Sequence, residues 1–149
     1  MSRTDLFSKK SGTARREVLI VDDDKIIHML HKKSIELCGT GLPVTGFENG
    51  QLALKHIEQH PYILFLVFLD LNMPVTDGWE FLEECRARKL QNLFTVIVTS
   101  STNSADKIKM FDFPQVIAYC EKPFTTNKIR EVLEMDELKP FSDLADECI

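Results

Sequence analysis

Two stretches of this chain, 18–21 (Val-Leu-Ile-Val) and 64–69 (Leu-Phe-Leu-Val-Phe-Leu), are apolar at every position, and a third, 94–98, is broken only by Thr95. Runs this short are strand-length, and an uninterrupted apolar run means burial on both faces. Strands of that kind occur in parallel sheets that carry helices on both sides. Helical periodicities fill the gaps between them. Residues 25–38 bear Ile27, Met29, Leu30 and Leu37 and stop at Gly39, and 50–59 place Leu52, Ala53 and Ile57 on one stripe. Asp77 and Glu80 form a capping-box pair ahead of Phe81, Leu82 and Cys85. Asn103 and Asp106 open another helix before Ile108 and Phe111, and Thr125 caps a last one bearing Ile129, Val132 and Leu133. Residues 43–47 and 116–120 supply two further strands. Five strands alternating with five helices predict an α/β domain with a parallel sheet covered on both faces.

A length of 149 residues fits one such domain. The net charge of −5, from 18 basic and 23 acidic residues, argues against a nucleic-acid binder working by general positive charge. Cys38, Cys85, Cys120 and Cys148 lie far apart with no Cys-x-x-Cys pair, which excludes a zinc or disulfide framework and suits a reducing cytoplasm. The longest apolar run, 62–69, falls well short of the roughly 20 residues that span a bilayer. Neither nucleic acid nor membrane is expected as a partner. Residues 1–16, with five basic side chains against Asp5, are expected to form a flexible basic arm rather than a transit peptide. The domain is expected over 17–138, followed by a short acidic tail over 139–149.

In open α/β sheets ligands bind beyond the carboxyl ends of the strands, where strand order reverses. Those ends carry Asp22, Asp23 and Asp24 after the first strand, Asp70 after the third, Thr99 at the fourth and Lys122 just past the fifth. In the strand order 2-1-3-4-5 the first and third strands adjoin, so Asp70 shares a crevice with the acid run. Two carboxylates about 4 Å apart repel by roughly 4 kcal/mol at an effective dielectric of 20. Three such pairs approach the whole stability of a domain, about 5–15 kcal/mol. The cluster makes sense as a Mg²⁺ site, whose hard cation takes oxygen ligands and leaves positions for phosphate oxygens.

The stretches Val-Leu-Ile-Val-Asp-Asp-Asp (18–24), Phe-Leu-Asp-Leu-Asn-Met-Pro-Val-Thr-Asp-Gly (68–78), Val-Ile-Val-Thr-Ser (96–100) and Glu-Lys-Pro-Phe (121–124) together resemble the receiver domain of two-component response regulators, in its stand-alone, chemotaxis-regulator form. That resemblance implies a doubly wound, flavodoxin-like fold. It implies Asp70 as phosphoacceptor, with Asp22, Asp23, Asp70 and the backbone carbonyl of Asn72 around Mg²⁺. Thr99 and Lys122 would contact phosphoryl oxygens, the Lys122–Pro123 bond would be cis, and Asp24 would be peripheral. Thr99 and Tyr119 would form a switch reaching the face built from 103–112, the fifth strand and 125–138. The implied donor is a sensor histidine kinase or a histidine phosphotransfer protein. With the chain ending soon after the last helix, the implied output is a contact with a target protein or a second copy. Such a chain is a regulatory phosphoacceptor that assists its own phosphorylation and dephosphorylation, not an enzyme acting on a separate substrate.

Two other readings compete. A haloacid-dehalogenase-like phosphatase would use Asp22 and Asp24 as nucleophile and general acid, but it leaves Asp70 without a role. A receiver-like binding module that takes no phosphate would not need the complete side-chain set. His56 with His60, and His28 with His31, read as boundary residues without a third metal ligand. Trp79 reads as packing, and Gly39-Thr-Gly41 lacks the rest of a dinucleotide fingerprint. Two stretches depart from the family pattern: 60–69 is a longer run into the acceptor strand, and 110–115 lacks small residues.

Overall fold

The computed structural model describes residues 15–73, 76–101 and 103–142. Five parallel strands, β1 (Arg16–Val21), β2 (Val44–Phe47), β3 (Leu64–Leu69), β4 (Leu93–Thr99) and β5 (Val116–Glu121), form one sheet in the order β2-β1-β3-β4-β5. The helices are α1 (Lys25–Leu37), α2 (Gly50–Gln59), α3 (Gly78–Ala87), α4 (Ser104–Lys109), α5 (Thr126–Leu133) and a short α6 (Lys139–Ser142). The expected sheet order is observed, and α6 adds a helix to the five expected.

Alternation along the central strands builds two cores. Leu19, Val21, Phe65, Val67, Leu69 and Ile97 face α2 and α3, meeting Ala53, Leu54, Ile57, Phe81, Leu82 and Cys85. Val18, Ile20, Leu66, Phe68, Val96 and Val98 face the other side, meeting Ile35, Phe124, Ile129, Leu133 and Phe141. β3 and β4 are buried at every position, as the apolar runs require. Phe65, Phe68, Phe81 and Phe141 are wholly enclosed, and burying each of them stabilises the fold by about 1.5–3 kcal/mol.

Three expectations about helix faces are corrected. On α1, Met29, Leu30 and Leu37 are more than half exposed, together with Ile26, while His31 and Ile35 are buried. The inward stripe runs through positions 27, 31 and 35, one turn apart, so His31 takes a core position that Leu30 was expected to fill. On α2, Leu54 is buried and Leu52 is half exposed. On α4 no residue is buried; its Ile108, and Phe111 in the 3-10 turn that follows it, project from the surface.

Residues 1–14 of the expected arm and 143–149 of the expected tail lie outside the described residues, and Cys148 with them. Arg16 opens β1, and the Arg15 carbonyl accepts from Leu64 N–H at 3.0 Å. At the other end Phe141 packs edge-on against Phe94, so the core extends past residue 139. The longer run 60–69 is absorbed in a turn that exposes Tyr62 and buries Ile63, with Asn92 Nδ2 donating to the carbonyls of His60 and Ile63. Cys38, Cys85 and Cys120 are free thiols, and burial pushes Cys85 up to about 12. Among the described residues no helix is long and apolar enough to cross a membrane.

Candidate functional site

β1 and β3 pair in register through Val21 and Leu69, so the next residues, Asp22 and Asp70, leave the sheet side by side. Asp70 N–H still donates to the Val21 carbonyl at 2.9 Å, which fixes the second acid against the first. Asp22 N–H donates to Phe47 O of β2, and the turn then delivers Asp24 as the N-cap of α1, its carboxylate accepting from Ile26 N–H. β4 ends on Thr99, fully buried, and Lys122 N–H donates to the Thr99 carbonyl at 2.8 Å. The next bond, Lys122–Pro123, is cis as expected.

Gly78 holds the loop after Asp70 close. A methyl at its Cα would lie 2.7 Å from the Asp70 carbonyl oxygen and 2.8 Å from Leu71 Cα. Asp77, one residue earlier, caps α3 by accepting from Glu80 N–H at 2.9 Å. The Asp-Gly pair in the sequence thus has two separate jobs, a cap and a close backbone approach.

The strand ends converge. Carboxylate oxygens of Asp22, Asp23 and Asp70 lie within 4.8 Å of one another, with Asp22 and Asp70 buried and Asp23 exposed. Lys122 Nζ sits 3.0 Å from Asp22 Oδ2 and 3.4 Å from Asp70 Oδ2. Asp22 Oδ1 accepts from Asp24 N–H at 2.9 Å, and Asp70 Oδ1 from Asn72 N–H at 3.2 Å. Asn72 Nδ2 donates to Thr99 Oγ1 at 3.2 Å, tying the β3 and β4 ends together. Tyr119, one strand over on β5, donates its hydroxyl to the Ser101 carbonyl at 3.4 Å. Every residue singled out at the strand ends therefore belongs to this cluster or its immediate border, and Asp24 is spent as a helix cap.

Burial raises the Asp70 pKa above its ordinary value, outweighing the Asn72 N–H and the Lys122 ammonium. Burial works the other way on Lys122, but the two carboxylates outweigh it and hold the ammonium protonated. Three carboxylates facing one ammonium leave excess negative charge, and the donors are all hard oxygens. That set fits a small divalent cation such as Mg²⁺.

A cleft of about 580 Å³ opens beside the acids, lined by Asp23, Leu71, Asn72, Met73, Asp77, Trp79 and Asp106. Trp79, which the sequence assigns to packing, and Asp106, which it assigns to a helix start, both line this cleft. Trp79 Nε1 donates to Asp106 Oδ1 at 3.2 Å, while Ser101 Oγ donates to Asp106 Oδ2 at 2.8 Å. Trp79 also stacks on Phe113 and lies under Lys109 Nζ. The unusual stretch 110–115 thus supplies a platform for the tryptophan, and its Phe111 remains exposed. The partners sit 27 residues apart in the chain, beyond any local sequence signal.

Comparison with known proteins agrees with this geometry. The model of the response regulator receiver domain matches residues 18–134. The chain is 32% identical over 130 residues to the "Probable C4-dicarboxylate response regulator DctR" of Bacillus subtilis, covering 81% of this chain and 53% of that protein. It is 30% identical to hybrid signal transduction histidine kinase K of Dictyostelium discoideum, over 80% of this chain and 10% of the kinase. The chain thus spans about half the length of the first relative and a tenth of the second. The receiver domain of AraT, a response regulator from Geobacillus stearothermophilus, superposes with a TM-score of 0.69 at 28% identity, covering 91% of this chain and 99% of that one. A CheY-like receiver protein from Methanospirillum hungatei shares the fold, with a TM-score of 0.67 at 22% identity over 89% and 98% of the two chains. This chain belongs to the response regulator receiver domains of two-component signalling.

Proposed function

We propose that this receiver domain is a phosphoacceptor switch whose nucleophile is Asp70. The observation that carries the reading is the position of Asp70: buried just past the end of β3, 3.4 Å from Lys122 Nζ, and clustered with Asp22 and Asp23. An Asp70 carboxylate oxygen attacks the phosphorus of a phosphohistidine on a sensor kinase or phosphotransfer protein. The P–N bond breaks, the imidazole leaves with its electron pair and takes up a proton, and an acyl phosphate remains on Asp70. Asp22, Asp23, Asp70 and the Asn72 carbonyl would hold Mg²⁺, which when bound offsets the carboxylate charge and orients the phosphoryl group for in-line transfer. Lys122 offers its ammonium to one phosphoryl oxygen and Thr99 its hydroxyl to another.

The donor protein is proposed to seat on α1, beginning beside the acids. Ile26, Met29, Leu30 and Leu37 are each more than half exposed there, and contiguous exposed apolar patches mark interaction sites. The output surface is proposed on α4, β5 and α5, where Ile108 and Phe111 stand exposed and Tyr119 links to the loop after Thr99. The phosphatase alternative finds no support, because Asp24 caps α1 and is outside the carboxylate cluster.

Acetyl phosphate and Mg²⁺ test the reading by intact mass. Wild type gains one hydroxylamine-labile phosphoryl group and Asp70→Asn gains none. Labelling that survives in Asp70→Asn and disappears in Asp22→Asn overturns it.

A further inference from the structure

The carbonyl of Asp22 lies one residue beyond β1, where the ladder no longer supplies a donor from its own register. His28, one turn into α1, reaches back to it: Nε2 lies 2.6 Å from the Asp22 carbonyl oxygen. A carbonyl can only accept, so this bond places the proton on Nε2. The ring has room to do so because β2 carries Gly46 beneath it. A methyl at Gly46 would lie 2.5 Å from His28 Nδ1 and 2.7 Å from Cγ, closer than any real contact. The Asp22 N–H is meanwhile held by Phe47 O, the neighbour of Gly46. Both backbone polar groups of Asp22 are thus fixed, one by β2 and one by His28.

The consequence lies in the side chains. Asp22 Oδ1 accepts from Asp24 N–H and Oδ2 from Lys122, so the peptide plane after Asp22 sets where Asp23 departs and where Asp24 can cap. We propose that His28 is a positioning residue of the acidic cluster: its Nε2–H, bonded to the Asp22 carbonyl over Gly46, holds the β1–α1 turn in the shape that brings the Asp22 and Asp23 carboxylates to Asp70. The proposal rests on the Mg²⁺ reading given above. Outer groups that orient metal ligands typically contribute about 10–100-fold in affinity, and His28 belongs in that range.

Two readouts test this in the full chain, with Mg²⁺ alone as the probe. The first is the Mg²⁺ dissociation constant, followed by emission of Trp79, the chain's single tryptophan, which lines the cleft with Asp23. The second, without metal, is hydrogen exchange at the Asp24 amide, which donates to Asp22 Oδ1. His28→Gln keeps a donor near the Nε2 position, and His28→Leu keeps bulk without one. The expectation is about ten-fold or greater weakening and faster Asp24 exchange in His28→Leu, with His28→Gln within about three-fold of wild type. Gly46→Ala, which must displace the ring, shifts both readouts in the direction of His28→Leu and decides alone if that variant does not fold. Wild-type affinity in His28→Leu or Gly46→Ala overturns the proposal. Equal weakening in the Leu and Gln variants also overturns it, assigning the effect to ring packing. Wild type that binds no Mg²⁺ refutes the metal reading itself, and Asp24 exchange then still decides the role of His28.

Discussion

Gly78→Ala separates the cost of a crowded site from ordinary helix energetics, because the same fold contains a matched control. Gly78 opens α3 and Gly50 opens α2, and both are buried. A methyl at Gly50 would meet Phe81 and Thr76 side-chain atoms at 3.3 Å, which small rotations can relieve. At Gly78 the clashing atoms include backbone, the Asp70 carbonyl at 2.7 Å and Leu71 Cα at 2.8 Å. Opening the first contact from 2.7 Å to the 3.4 Å of ordinary packing moves the Asp70 peptide by about 0.7 Å. Overpacking of this kind costs about 1–3 kcal/mol, and backbone contacts belong at the upper end. Replacing glycine in a helix returns at most about 1 kcal/mol. The net is about 2 kcal/mol of lost stability in Gly78→Ala, a fall in Tm of roughly 4–8 °C at this chain length. Gly50→Ala should stay within about 0.5 kcal/mol of wild type. Displacement of the Asp70 peptide should also slow phosphorylation by acetyl phosphate about ten-fold or more, since misplacement by about 1 Å costs up to 10²-fold. Thermal unfolding and the phosphorylation rate are measured on both variants. A Gly78→Ala protein with wild-type Tm and rate, or one matched by Gly50→Ala, refutes the steric reasoning.

Two further outcomes follow from the neighbours of the site. Burial holds the His31 pKa below 6.5 against the opposing pull of Asp22, with Lys122 and His28 adding to the lowering. Between the folded and unfolded values the unfolded chain binds more protons, so this contribution is complete above about pH 6.5 and is lost as pH falls through the lower folded value. Denaturant titrations at pH 7.5 and 5.5 should therefore show a larger acid loss in wild type than in His31→Leu, and equal losses remove His31 as the cause. Asp106→Ala should release the Trp79 indole into water, shift its emission to longer wavelength and cost about 1 kcal/mol, while unchanged emission would show that Phe113 alone holds the ring.

The sheet was legible because burial on both faces writes itself as unbroken apolar runs, and the chemistry was legible because it gathers at their carboxyl ends. Asp22, Asp70, Thr99 and Lys122 could be placed from strand ends alone. On α1 most apolar residues are off the inner face: Ile26, Met29, Leu30 and Leu37 point outward while His31 and Ile35 point in. Hydrophobic periodicity reports burial only where apolar side chains are reserved for it, and a helix with a second apolar face defeats that test. For His28, read as a boundary residue, and Trp79, read as packing, the reason is different. Their polar partners, the Asp22 carbonyl and the Asp106 carboxylate, are set by the fold, and a single hydrogen bond leaves no periodic trace.

Thr99 ends a fully buried strand and leads toward α4, which buries none of its residues. A hydroxyl has one proton to donate and two acceptor positions, and both acceptor positions of Thr99 are in use, by Asn72 Nδ2 and by Ser101 N–H. Any new polar neighbour can therefore gain only its O–H, which suits a phosphoryl oxygen on Asp70 and would not suit a second donor. Drawing that hydroxyl toward a phosphoryl group on Asp70 would pull on Ser101, whose carbonyl accepts from Tyr119 and whose Oγ donates to Asp106. Asp106 in turn lies in α4, the helix with no buried residue, fastened by polar contacts to Trp79 and Ser101 rather than by core packing. Each such contact is worth about 0.5–1.5 kcal/mol, against about 1.5–3 kcal/mol for every core side chain that anchors the other helices. A shift starting at Thr99 would meet less packing resistance at α4 and the Tyr119 ring than in the sheet core, so the proposed switch would change that surface first.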